Sequence, residues 1–140
     1  MAFKKRASWI DHFVAWLRLE NALLFCAELC FYHTWSGDWW LFAKLFLLPD
    51  LGLLGYVWGP RVGAACYNVT HTLTLPLGLL FVGLMMPHHT AVTVSLIWII
   101  HIAFDRMLGL GLKSRKGFTI THLGTFKSFK GFNQKPPSNA

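Results

Sequence analysis

Thr90-Ala-Val-Thr-Val-Ser-Leu-Ile-Trp-Ile-Ile-His101-Ile-Ala-Phe-Asp105-Arg-Met-Leu-Gly-Leu-Gly-Leu112 decides how this chain is read. Its length and composition are those of a bilayer crossing, which needs about 20 mostly apolar residues. Yet His101 and Asp105 stand in it, four residues apart and so on one face of a helix. An ionised group at such depth costs about 3 kcal/mol unless it turns inward to a partner, so it marks a candidate site. The segment is therefore read as a span and as half of a site.

The rest of the chain is of the same kind. Of its 140 residues 54% are hydrophobic and only 14% charged, against about 25% charged in a soluble domain. Apolar runs predict four spans, from about Phe13 to Tyr32, Trp39 to Val57, Val62 to Met86 (with a kink at Pro76) and Thr90 to Leu112. They are separated by the polar turn His33–Asp38, by Gly59-Pro60-Arg61 and by Pro87-His88-His89. Gly55, Gly59 and Gly63 echo a small-residue packing motif, but Pro60 makes a turn the better reading. The expected fold is all-α: an integral membrane four-helix bundle over residues 1–112, with a basic N-terminus and a basic tail over 113–140. The three cysteines, Cys26, Cys30 and Cys66, read as small apolar residues of the spans.

The net charge of +7 is not spread as a nucleic-acid surface would need. Lys4, Lys5 and Arg6 open the chain and Lys113, Arg115, Lys116, Lys127, Lys130 and Lys135 close it, while the turns after the first and third spans hold no Lys or Arg. The expected partner is the lipid bilayer, not nucleic acid. Both termini and the Arg61 turn are placed in the cytoplasm by the positive-inside rule. Gly117–Gly124 is expected to act as a lid at the cytoplasmic mouth or as a membrane-surface segment, and the ending from Lys135 as disordered without a partner.

Helical rise sets depth. Asp50, Asn68 and Asp105 fall roughly 10 Å from the cytoplasmic ends of their spans, and Glu20, His71 and His101 roughly 13–16 Å. Four spans thus bring polar groups to one layer. His101 pairs with Asp105 at i, i+4, and Asn68 with His71 at i, i+3. Imidazole and carboxylate together suit zinc, manganese or iron, and facing helices of a bundle are a known support for such a site. Asp50, His71, His101 and Asp105 are the candidate metal ligands, and Glu20 the candidate general base. A structural alternative has the acids paired with Arg18, Arg61 or Arg106.

The runs Leu17-Arg-Leu-Glu20, Pro49-Asp50-Leu-Gly-Leu-Leu-Gly-Tyr56, Gly59-Pro-Arg-Val-Gly63, Tyr67-Asn68-Val-Thr-His71-Thr72, His101-Ile-Ala-Phe-Asp105-Arg-Met-Leu-Gly-Leu-Gly-Leu-Lys113 and Gly117-Phe-Thr-Ile-Thr-His122-Leu-Gly124 resemble the bacterial domain-of-unknown-function family 4260. That resemblance covers roughly residues 13–124 and implies a small four-helix protein of the bacterial inner membrane, with no settled activity. The order Pro-Asp, His-Thr, His-x-x-x-Asp is also similar to that of membrane-bound metal-dependent hydrolases, and on that pattern Asp50, His71, His101 and Asp105 would be the ligands. The chain departs from it at Leu51-Gly52-Leu53, where a second acid is usual, and at Tyr67-Asn68, where Arg and His are.

The leading functional expectation is a metal-dependent enzyme, a hydrolase acting on a lipid-soluble or phospholipid substrate. Two others stand beside it: a non-catalytic accessory subunit packed against other subunits of a larger membrane complex, and axial ligation of a haem or chlorophyll-type pigment by His71 and His101.

Overall fold

The computed structural model describes residues 2–111 and the strand residues 113–114, 117–121 and 124–125, with side chains for 12–111. The described chain is a helical bundle followed by a small sheet. Helix α1 (Ala2–Trp35) runs for 34 residues, about 51 Å. Its C-terminal turn is tied to the next helix by polar atoms: the Ser36 and Gly37 amides both reach the Tyr32 carbonyl, and the Tyr32 hydroxyl donates to the Asp38 carbonyl at 2.8 Å. Asp38 then caps α2 (Trp39–Phe46), its Oδ1 accepting from the Trp40 and Leu41 amides, two donors that a helix start leaves unpaired.

After α2 the chain tightens into a 3-10 helix over Leu48–Trp58, far longer than the three or four residues usual for that form. The local sequence explains it. In a 3-10 helix residues i and i+3 eclipse, so Pro49, Gly52 and Gly55 line one edge. That edge lies on α3 (Pro60–His71). A Cβ on Gly52 would come within 2.6 Å of Thr70 Oγ1, and one on Gly55 within 2.9 Å of the Cys66 side chain. Gly59 (φ 114°) makes the expected turn. Gly55 and Gly63, set aside as turn residues, instead allow the two segments to touch, since the Tyr56 ring covers Gly63.

The third expected span is two helices, α3 and α4 (Thr74–Met85). The break falls at Thr72–Leu73, not at Pro76. Proline has no amide hydrogen, and its ring crowds the carbonyl four residues earlier, which here is that of Thr72. His71 therefore ends a helix. The last helix, α5 (His89–Leu108), stops four residues short of the expected Leu112. Gly109 takes the left-handed conformation (φ 86°), and the Leu110 amide returns to the Asp105 carbonyl at 2.8 Å, a glycine-terminated helix end.

Helix α5 is the centre of the bundle and packs on α1, α2 and α4. Val92, Leu96, Ile97 and Ile100 form the core with Tyr32, flanked by Phe25, Leu29, Phe42 and Leu80. Helix α1 is antiparallel to α5: Trp35 stacks on His89 at one end and the Arg18 Nε donates to the Met107 carbonyl at the other. The outward surface stays apolar, with Trp40, Val57 and Trp58 more than 70% exposed. Three helical rods, Trp39–Trp58, Pro60–Met85 and His89–Leu108, are long and apolar enough to cross a membrane. They coincide with the second, third and fourth expected spans. Helix α1 has the length, but with Arg18, Glu20 and Glu28 along it it is not in that set.

Beyond α5, β1 (Lys113–Ser114), β2 (Gly117–Thr121) and β3 (Gly124–Thr125) form an antiparallel meander in the order β1-β2-β3. Lys113 faces Thr121 and Ile120 faces Thr125, with an irregularity between Lys113 and Ser114. β1 and β2 lie against α3. The segment expected as a lid or a membrane-surface segment, Gly117–Gly124, is mostly strand. The ending from Lys135 lies outside the described residues.

Candidate metal centre

Three segments of the chain bring four potential ligand atoms to one point. Asp50 enters from the first turn of the 3-10 helix, His71 from the last residue of α3, and His101 and Asp105 from adjacent turns of α5. One ligand atom from each makes a group within 4.8 Å. The His71 and His101 Nε2 atoms are 3.2 Å apart. His71 Nε2 lies 3.4 Å from Asp50 Oδ1 and 3.3 Å from Asp105 Oδ2, and His101 Nε2 lies 3.7 and 4.0 Å from the same oxygens. Tetrahedral ligands bound at about 2.0–2.2 Å would be about 3.3–3.6 Å apart. The observed edges bracket that figure, so the group could hold a metal ion.

The outward ring atoms fix which nitrogen faces the centre. His71 Nδ1 lies 3.0 Å from the Tyr67 carbonyl, which can only accept, so Nδ1 carries the proton and Nε2 presents a lone pair. Thr70 Oγ1 lies 2.9 Å from the same Nδ1. His101 is 1% exposed; its Nδ1 is buried short of a hydrogen bond, and the Phe46 backbone faces the ring. The Phe46 carbonyl lacks its helical donors, because Pro49 has no amide hydrogen and the Asp50 amide goes to Leu47. The change from α to 3-10 geometry thus both swings Asp50 inward and leaves a carbonyl beside His101.

Among the described residues neither Asp50 nor Asp105 has an ion pair with Lys or Arg; their contacts are with the two histidines. Arg18 is spent on the end of α5. Two protonated imidazoles could neutralise the acids, but two N–H groups cannot point at each other across 3.2 Å. At most one of the two Nε2 atoms carries a hydrogen toward the other, so two carboxylates and at least one acceptor nitrogen converge in a low-dielectric interior, where unpaired charge is costly. Asp105 has one further support, the Tyr67 hydroxyl, which donates to Oδ2 at 2.9 Å. The Tyr67 ring also stacks on His71 at 3.7 Å. Asp50 is the accessible member, its side chain 36% exposed against 10% for Asp105 and 4% for His71.

All four residues expected as ligands are in the group. Glu20 is not: it is exposed on α1. Helix α1 meets α5 through Arg18, Phe25, Leu29 and Tyr32, a stripe of seven-residue spacing, and Glu20 lies about 200° round the helix from Arg18. Asn68, which shares a helix face with His71, is half-buried on α3. Tyr67 and Thr70 contact the cluster directly, and Tyr67 is i, i+4 with His71, which was the available signal.

A cavity of about 130 Å³ adjoins the centre, lined by Leu45, Leu48, Pro49, Thr70, Val94 and Trp98. The Trp98 Nε1 donates to the Thr70 carbonyl at 2.7 Å across its floor.

No curated protein and no solved structure matches this chain. Residues 14–126, the stretch that carries all four ligand positions, match the family described as Domain of unknown function (DUF4260), and the chain belongs to that family.

Proposed function

We propose that this is an integral membrane protein that binds one divalent transition metal through Asp50, His71, His101 and Asp105 and uses it for hydrolysis. The observation that carries the reading is the pair of imidazole nitrogens 3.2 Å apart, facing two carboxylates with no basic side chain among the described residues to pair them. Their donor set, two nitrogens and two oxygens, suits zinc first and manganese or iron next. The shared pocket favours one small cation over a macrocycle between the two histidines.

The membrane placement is supported by the three apolar rods and the outward apolar surface. We place the site near the cytoplasmic face of the inner membrane, with both termini in the cytoplasm. The antiparallel pairing of α1 with α5 is in keeping with an even number of crossings, and basic residues gather at the two chain ends.

A cation here would polarise a carbonyl or phosphoryl oxygen and acidify a water. The chain's own residues set the conditions. His71 and His101 present lone pairs from buried rings, Tyr67 holds Asp105 by one oxygen, and Asp50 guards the accessible side. Four protein ligands complete a tetrahedron, whereas catalytic zinc keeps a position open or expands to five. Asp50 is the ligand suited to yield that position.

Elemental analysis of the full chain purified from membranes tests the reading. About one equivalent of metal is expected, with His71→Ala and His101→Ala each losing it, and with hydrolysis of a panel of p-nitrophenyl esters and phosphodiesters dependent on it. Metal-free protein that is folded and takes up none on zinc addition overturns metal binding. Metal-loaded protein inert toward the whole panel overturns hydrolysis.

A further inference from the structure

The cavity beside the centre has a direction. Pro49 and Thr70 in its wall are sequence neighbours of the ligands Asp50 and His71. Trp98 and Val94 follow His101 back along one face of α5 at i−3 and i−7, about 4.5 and 10 Å along the axis. The cavity is therefore lined by the neighbours of the four clustered residues and not by those residues themselves, and its α5 residues lie on the N-terminal side of His101, toward the middle of the span. It is walled almost wholly by apolar side chains, and Leu48 at its rim is half exposed on the outward surface. An outward surface of apolar side chains at this depth adjoins acyl chains, not water. The volume has room for a short stretch of alkyl chain.

We propose that this cavity is an alkyl-chain subsite of the metal centre, holding the head-proximal methylenes of a membrane lipid whose polar head meets the cation on the Asp50 side. The inference rests on the metal reading above. It assigns the substrate class: an amphiphile that enters sideways from the bilayer, head toward the end of the bundle where α5 terminates and tail toward the midplane, parallel to the lipids around it. Its chain is gripped over a few carbons next to the head, so recognition falls on the bonds near the polar group and not on total chain length.

Cobalt(II)-loaded full chain in detergent provides the test, since its visible absorption reports coordination. The probes are acetohydroxamate, a metal-seeking head alone, and octanohydroxamate, the same head with a chain. Both are expected to perturb the cobalt spectrum. Val94→Phe, which fills the cavity, is expected to weaken octanohydroxamate about tenfold, leaving acetohydroxamate affinity and cobalt stoichiometry unchanged. The loss is smaller than water transfer would give because the displaced chain returns to hydrocarbon. Should Val94→Phe fail to retain cobalt, Leu48→Phe at the exposed rim takes its place. Octanohydroxamate affinity unaffected by the filling variant overturns the subsite and leaves the metal reading intact. Protein that holds no cobalt overturns the metal reading itself. Cobalt held in a centre that neither probe perturbs shows a closed site and overturns the subsite.

Discussion

Helix α5 borders two regions built on different physics. On one side Val92, Leu96, Ile97 and Ile100 meet Tyr32 and a shell of Phe and Leu side chains from α1, α2 and α4. On the other, Trp98, His101 and Asp105 meet the 3-10 helix and α3 through polar atoms. The first region holds its elements by dispersion and shape. The second brings ionisable groups together. The difference teaches where separate effects should be sought: the apolar side supports a position for α5, and the polar side gathers His101 and Asp105 with Asp50 and His71.

The strongest way to break that comparison is His101→Ala. Removing a ligand must exceed the 10–100-fold that a supporting residue costs, so metal affinity is expected to fall by about a thousandfold in a competition titration. Helical circular dichroism and thermal unfolding of the metal-free protein are expected to stay near wild type. A metal-free variant that no longer folds would show that the polar side is part of the core.

Ile100→Ala, at a position with no exposed surface, is the converse. In soluble proteins such a truncation costs about 2–5 kcal/mol. In lipid the transfer part largely vanishes and the lost packing remains, so about 2 kcal/mol is expected in a reversible unfolding assay. Metal stoichiometry should not change. Loss of metal at equal folded fraction would mean the two sides are coupled through α5.

Gly52→Ala tests the join between them. A methyl there collides with Thr70 Oγ1, which is engaged with the Cys66 and Tyr67 carbonyls and cannot swing away freely. Overpacking of this kind costs about 1–3 kcal/mol. Because Asp50 lies two residues away on the same segment, stability and metal affinity are expected to fall together, the latter about tenfold. Stability lost with affinity kept would free Asp50 from any dependence on the 3-10 packing.

The four clustered residues were legible in the sequence because an Asp or His amid apolar residues stands out, and rise per residue gives its position along a span. Depth says nothing of direction. In water the apolar stripe marks the inward face of a helix, but in a bilayer both faces are apolar, so Glu20 and His71 looked alike in height while pointing to different surroundings. The same loss of contrast hid the 3-10 helix, since Leu48–Trp58 has the hydropathy of any span. Its three-residue spacing of Pro49, Gly52 and Gly55 was the readable sign. The break at Thr72 was legible only as a kink at Pro76, and its place follows from counting back to the carbonyl the proline leaves without a donor.

The finest test lies within α3, at Tyr67, one turn from His71. Tyr67→Phe removes a single hydroxyl and keeps the ring that stacks on His71. If the hydroxyl serves by holding Asp105 Oδ2 in place, metal affinity should fall about tenfold, the low end for a supporting residue, with no change in stoichiometry. Equal affinity in Tyr67→Phe would mean that Asp105 is fixed by its helix alone, through the closed turn at Gly109. A loss as large as that of His101→Ala would instead place the phenol oxygen among the ligands, and the centre would then be a five-membered set in which Asp50 is free to leave.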